Sequence, residues 1–383
     1  MPPTGGTAVT PKSSRPYTFD VTSLNLFEHC RFLRYVGKGI MMLIVGSLIA
    51  LATTSVLTLA LFPRATDAPV YYFLAVIYLA TIFMICWCYW RTMMDDPGLV
   101  TEYDPFRAHV GDTTGPSAGD PLDDLCSRIN VDATFRMRVT NNYTETLRTD
   151  MMRAAKSQHT ARDKRLALAY AYETRPRWCK KCNRWKPPRS HHCSVMGTCV
   201  LKMDHYCVWM GNTIGLLNYK SFVLFLFWTF VGCALSAVLL FKPSVRFIRG
   251  ETGALGPTAS VERVVGGILG FIAFVFTAAF TAALIGFLIM HGSLIARNMT
   301  TIEAYEKRKV EPWPWNTGSW RENASQVFGG SGGSLPGLRR WIWILTPAVN
   351  PADRGRLVGS NGYVKLTVNP VEFFERAGLL DVV

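Results

Sequence analysis

The sequence predicts an all-α membrane protein, with four transmembrane helices and a small cytosolic cysteine-rich domain between helices 2 and 3. Three observations carry this expectation. Four long stretches are nearly free of charge, each near the ~20 residues a helix needs to cross a bilayer. Hydrophobic residues make up 49% of the chain against 18% charged, high and low respectively for a soluble protein. Five of the cysteines lie between Cys179 and Cys207, close enough together to share metal-binding or catalytic work.

Taken in order, residues 1–39 form a polar cytosolic N-terminal segment. Its first 35 residues lack an apolar core before a cleavage site, so no secretory leader is expected and a disulfide scaffold is disfavoured. Residues 40–90 hold helices 1 and 2. The first span runs from Ile40 to Phe62, and Pro63, which has no N–H, is expected to end it. The second runs from Val70 to Trp90, whose Trp87, Tyr89 and Trp90 suit a membrane–water interface. Residues 91–177 form a cytosolic linker, turn-rich from Gly111 to Pro121 and then basic, with a helix expected over 154–172. Residues 178–218 are the cysteine-rich domain. Residues 219–290 hold helices 3 and 4, from Tyr219 to Phe241 and from Val264 to Met290, where Gly266 and Gly270 have the spacing that lets helices approach closely. Residues 291–383 form a cytosolic C-terminal segment with a flexible stretch at Gly329–Gly333. Its Arg339-Arg340-Trp341-Ile342-Trp343 run reads equally well as a basic surface anchor or a buried packing segment.

Charge sets the orientation. Lys and Arg number 5 before the first span, 19 between the second and third, and 11 after the fourth, against 1 and 4 in the two short connections. Both termini and the long middle segment are therefore expected on the cytosolic side. This bias accounts for the net charge of +14 without nucleic acid. The sequons at Asn142, Asn298 and Asn323 fall on the same side, so none is expected to be glycosylated.

Within residues 178–222, Cys179 and Cys182 form a Cys-x-x-Cys knuckle, and a His and further Cys follow within twenty residues. Thiolate and imidazole at this spacing suit a structural, tetrahedral zinc. Spacing alone leaves open whether His192 or Cys193 joins Cys179, Cys182 and Cys199. Asp204-His205-Tyr206-Cys207 reads in two ways. It is a compact acid, base and nucleophile, in which His205 takes the thiol proton and Asp204 orients His205. Alternatively, His205 and Cys207 are two more metal ligands.

This segment closely resembles the cysteine-rich domain of the DHHC-type protein S-acyltransferases, or palmitoyltransferases. Asp96-Pro97-Gly98, Thr300-Thr301-Ile302-Glu303 and Asn323 with Val327-Phe328-Gly329 resemble that family's DPG, TTxE and C-terminal motifs, in the same order. The resemblance covers roughly residues 36–330. It implies that Cys207 is the acyl-accepting nucleophile, His205 its general base and Asp204 the residue that orients His205. It also implies a structural zinc on Cys179, Cys182, His192 and Cys199. A second zinc site of the family falls here on Cys193, Met196, Tyr206 and Thr213. A thioether, a phenol and a hydroxyl are poor zinc ligands, so one zinc per chain is expected. The Asp-His-Tyr-Cys tetrad resembles a fungal subgroup, and it replaces the second His rather than the catalytic one.

The function implied is ping-pong transfer of a long-chain fatty acyl group from palmitoyl-CoA, or another acyl-CoA, to cysteines of membrane-associated protein substrates at the bilayer. Lys180, Lys181, Arg184, Lys186, Arg189 and Lys202 are candidate partners of the CoA phosphates. The alternative is a catalytically inert, zinc-containing membrane adaptor. A transporter would want charged or broken segments at mid-membrane, which the sequence does not offer.

Overall fold

The computed structural model describes residues 21–65, 68–100, 177–182, 184–252, 254, 256, 260–306, 313–329 and 344–347. The expected helix over 154–172, the sequon at Asn142 and the basic aromatic run from Arg339 to Trp343 lie outside the described residues.

Four helices are long and apolar enough to cross a membrane: Val36–Leu61, Val70–Met94, Tyr219–Ile248 and Val261–Ala296. Their outward faces are apolar, as at Leu43, Phe83, Val238 and Ile289, each more than half exposed. Apolar surface on this scale needs lipid rather than water. The chain is thus a multi-pass membrane protein.

Helix α1 (Val21–Ser55) continues through a π-helical stretch, Val56–Leu61, into α2 (Phe62–Ala65). Pro63 does not end the helix at Phe62 as the sequence predicts. The wider turn just ahead of it absorbs the proline ring and its missing N–H, and the helix runs on to Ala65. Helix α3 (Val70–Met94) follows, then α4 (Tyr219–Ile248), which passes through Pro243, and α5 (Val261–Ala296). Helix α4 packs along both α3 and α5, and α1 lies against α5. Of the two glycines expected to permit close approach, Gly270 meets Leu59, whereas a Cβ at Gly266 would find open space. Gly267 against Phe247 and Gly232 against Ile85 are further close contacts.

Between α3 and α4 sit three short antiparallel hairpins. They are β1 (Arg177–Cys179) with β2 (Arg184–Lys186), β3 (His191–Cys193) with β4 (Thr198–Val200), and β5 (His205–Cys207) with β6 (Asn212–Ile214). Such three-residue strands cannot bury a core of their own, so other contacts must fix them.

The segment after α3 supplies one. Asp96 Oδ1 accepts from the N–H groups of Gly98 and Leu99 at 2.8 and 2.9 Å, and Gly98 turns with φ of 103°. The chain then runs beside β4, with Val100 N–H donating to Cys199 and Leu201 N–H to Gly98. Gly215 closes the other side. A Cβ there would lie 2.5 Å from the Pro97 carbonyl oxygen and 2.6 Å from Val200 Cγ1.

After α5 come α6 (Thr301–Tyr305) and α7 (Trp320–Phe328), the latter packed on α4 and α5. Thr300 and Glu303 form a reciprocal capping box at the start of α6.

Candidate active site and metal centre

Strand alternation sorts the cysteine-rich residues onto two faces. In β3, His192 and Cys193 are adjacent and point opposite ways. His192 pairs with Cys199 across the hairpin and turns toward the first knuckle. Its Nδ1 lies 3.1 Å from Cys182 Sγ and 3.6 Å from Cys179 Sγ, and Cys182 and Cys199 sulfurs are 3.8 Å apart. All four ligand atoms fall within 4.8 Å of one another. With Zn–S near ~2.3 Å and Zn–N near ~2.0 Å, a tetrahedron has edges of about 3.6–3.8 Å, so this donor set fits zinc.

Cys193 faces the other way and is buried. It accepts a hydrogen bond from the Thr213 hydroxyl at 3.1 Å and packs with Val200, Met203, Met196 and Tyr206. The four positions that the resemblance maps to a second zinc thus do converge, but as a packed apolar cluster.

In β5 the same alternation puts His205 and Cys207 on one face and Tyr206 on the opposite one, in that cluster. His205 Nδ1 is 2.7 Å from Asp204 Oδ2, and the imidazole also interacts with Cys207. Asp204 is 1% exposed, and Thr301 holds its carboxylate from the far side of the sequence. Burial alone disfavours the imidazolium. The hydrogen bond that His205 donates to Asp204, together with Cys207 and the Asp204 charge, outweighs burial and raises the His205 pKa to about 9. For Asp204, burial acts upward, but His205 and the Thr301 N–H hold its pKa below the usual value.

Cys207 lies 8% exposed in a cluster with Tyr89, Met93, Phe222, Leu226, Leu284 and Ile295, apolar residues contributed by α3, α4 and α5. Phe222 packs edge-on against His205 and, on its other side, against His291, which bonds the Tyr219 hydroxyl at 3.0 Å.

The hairpin is tied to the membrane helices through the end of α3, whose last carbonyls lack intrahelical partners. Asn212 Nδ2 donates to the carbonyls of Thr92, Met93 and Asp95, Asn218 Nδ2 to Thr92, and Lys38 Nζ to Met93. Asn212 is also the cross-strand partner of Cys207.

Of the six basic candidates, Arg189 is consumed structurally. It is buried and makes two 2.6 Å bonds to Glu303, with further bonds to Asn298. Lys202 donates to Asn298 Oδ1 at 2.8 Å; burial first, then Arg189, lower its pKa to about 7. Lys180 and Lys181 are exposed; the Arg184 side chain lies outside the described residues. The Asn298 and Asn323 amides are both buried and hydrogen-bonded in the folded chain.

Sequence reasoning missed the clamp of Thr301 on Asp204 and the capping by Asn212 and Asn218. The first had a signal, because Thr300-x-x-Glu303 is the capping-box pattern and fixes where the Thr301 N–H points.

A family model described as DHHC palmitoyltransferase matches residues 172–308. Probable protein S-acyltransferase 13 of Arabidopsis thaliana is 36% identical over 310 residues, covering 80% of this chain and 85% of that protein. Palmitoyltransferase ZDHHC15 of Homo sapiens is 34% identical over 180 residues, 46% of this chain and 48% of the relative. Palmitoyltransferase pfa3 of Emericella nidulans is 40% identical over 141 residues, 36% of this chain and 25% of the relative. The chain belongs to the DHHC palmitoyltransferase family.

Proposed function

We propose that the protein transfers a long-chain fatty acyl group from acyl-CoA, through an acyl-Cys207 intermediate, to cysteines of proteins at the membrane. One observation carries the reading: Asp204, 2.7 Å from His205, sits behind an imidazole that shares a strand face with Cys207.

In the first step Cys207 Sγ attacks the thioester carbonyl and His205 takes the thiol proton. The C–S bond to CoA breaks, and the CoA sulfur leaves as the thiol, taking the proton back from His205. In the second step a substrate cysteine attacks acyl-Cys207, with His205 again accepting a proton, and the Cys207 sulfur is released. Asp204 keeps Nδ1 occupied, so that Nε2 is the working atom. The acyl chain enters a seam lined by Phe222, Leu226 and Leu284. Each buried methylene stabilises the complex by about 0.8 kcal/mol, which favours long chains. Exposed Lys180 and Lys181 are the best placed of the basic candidates for CoA phosphates.

Cys179, Cys182, His192 and Cys199 would hold one zinc, which supplies structural cross-linking of hairpins too short to stand alone. The second lobe uses packing around Cys193 instead. The charge bias supports a cytosolic active site and termini.

The test is incubation of purified wild type and Cys207→Ser with labelled palmitoyl-CoA. Wild type is expected to take hydroxylamine-labile label and Cys207→Ser none. Equal labelling of both would shift the nucleophile elsewhere, and labelling of neither would favour an inert adaptor.

A further inference from the structure

We propose that the cleft between the far ends of α4 and α5 binds one zwitterionic glycerophospholipid. The cleft is a cavity of about 330 Å³. It lies some 27 residues along α4 from Tyr219, about 40 Å from the catalytic hairpins. It therefore faces the opposite leaflet and is separate from the acyl seam.

Its wall is graded in polarity. Arg246, Thr252, Glu262 and Arg263 line the outer part, while Leu59, Gly270 and Phe271 line the inner part. Ser244 sits between them at 3% exposure, and its hydroxyl has no hydrogen-bond partner among the described residues. A helical serine ordinarily bonds the carbonyl one turn back. This one offers a buried donor between the polar and apolar parts of the wall, where the ester oxygens of a lipid could accept. Neighbouring Arg249 pairs with Glu251, whereas among the described residues neither Arg246 nor Arg263 has an acidic partner. Arg263 spends only Nε, on Ser260, leaving the fork of its guanidinium open. Two guanidiniums beside one carboxylate suit a headgroup with a phosphate and an ammonium. Below them, the open wall at Gly266 and the apolar floor suit an acyl chain.

The experiment uses the full chain, purified and stripped of lipid in a nonionic detergent. Bound lipid is counted by native mass spectrometry, and Tm is followed as phosphatidylethanolamine or phosphatidylglycerol is added. Wild type is expected to hold one phosphatidylethanolamine in preference to phosphatidylglycerol and to rise in Tm with it. Gly266→Leu fills the cleft without meeting any heavy atom within 4 Å of its Cβ. It is expected to keep the lipid-free Tm and lose both the adduct and the lipid-dependent rise. Arg246→Ala with Arg263→Ala is expected to weaken retention at least tenfold. If Gly266→Leu lowers the lipid-free Tm, the arginine pair decides by the same readout. Undiminished retention in the deciding variant, or a wild-type preference for phosphatidylglycerol, overturns the proposal.

Discussion

Thr301 holds both oxygens of Asp204: its N–H donates to Oδ1 at 2.6 Å and its hydroxyl to Oδ2 at 2.9 Å. A carboxylate so held stays ionised behind His205 and cannot turn away from it. Because the raised His205 pKa of about 9 depends in large part on Asp204, Asp204→Asn should lower it. Proton transfer from Cys207 then becomes harder, and single-turnover acylation at pH 7 should fall ~100-fold. For a raised histidine, the pair's contribution to stability is full below ~6.5 and fades as pH rises through about 9. Acylation and Tm followed from pH 6 to 10 in wild type and variant would show both effects.

Glu303 and Arg189 form a buried pair that joins the start of α6 to the turn before β3. Burial acts to raise the Glu303 pKa, but Arg189 wins and holds it below the usual carboxylate range. Its stabilisation is therefore present above ~4.3 and lost as pH falls further. Glu303→Ala leaves a guanidinium buried without its partner and should cost about 3–5 kcal/mol, seen as a large drop in Tm in detergent.

Gly215→Ala should be among the most damaging single-methyl substitutions. Its Cβ would meet the Pro97 carbonyl at 2.5 Å, and backbone cannot rotate out of the way as a side chain can. The turn of Asp96-Pro97-Gly98 must shift, so poor folding yield and loss of acylation are expected together, measured by monodisperse recovery and label uptake.

Metal content separates the two lobes. Wild type and Cys193→Ser should each carry about one zinc, since Cys193 faces Thr213 and the apolar cluster. Cys199→Ser should lose the metal, because its sulfur belongs to the compact donor set. Two zincs in wild type by elemental analysis would refute the packed second lobe.

The spans were legible because a helix crossing lipid must be continuously apolar, a demand written into consecutive residues. The Cys179–Cys182 knuckle was legible for the same reason, being local. The choice between His192 and Cys193 needed the strand, whose alternation sends neighbours to opposite faces. The hold of Thr301 on Asp204, 97 positions apart, depends on how α6 docks, and no periodicity records that. Pro63 misled, because a π turn one step earlier removes the conflict that makes proline a helix breaker.

The last carbonyls of α3 are gripped by Asn212, Asn218 and Lys38, and Asn212 stands opposite Cys207. Cys207 is consequently tied to the end of a membrane helix through its cross-strand partner. When α3 tilts to match a thicker or thinner membrane, the thiol rides with it like the tip of a lever. Bilayer thickness then sets how far from the lipid surface an acceptor cysteine can stand and still be reached.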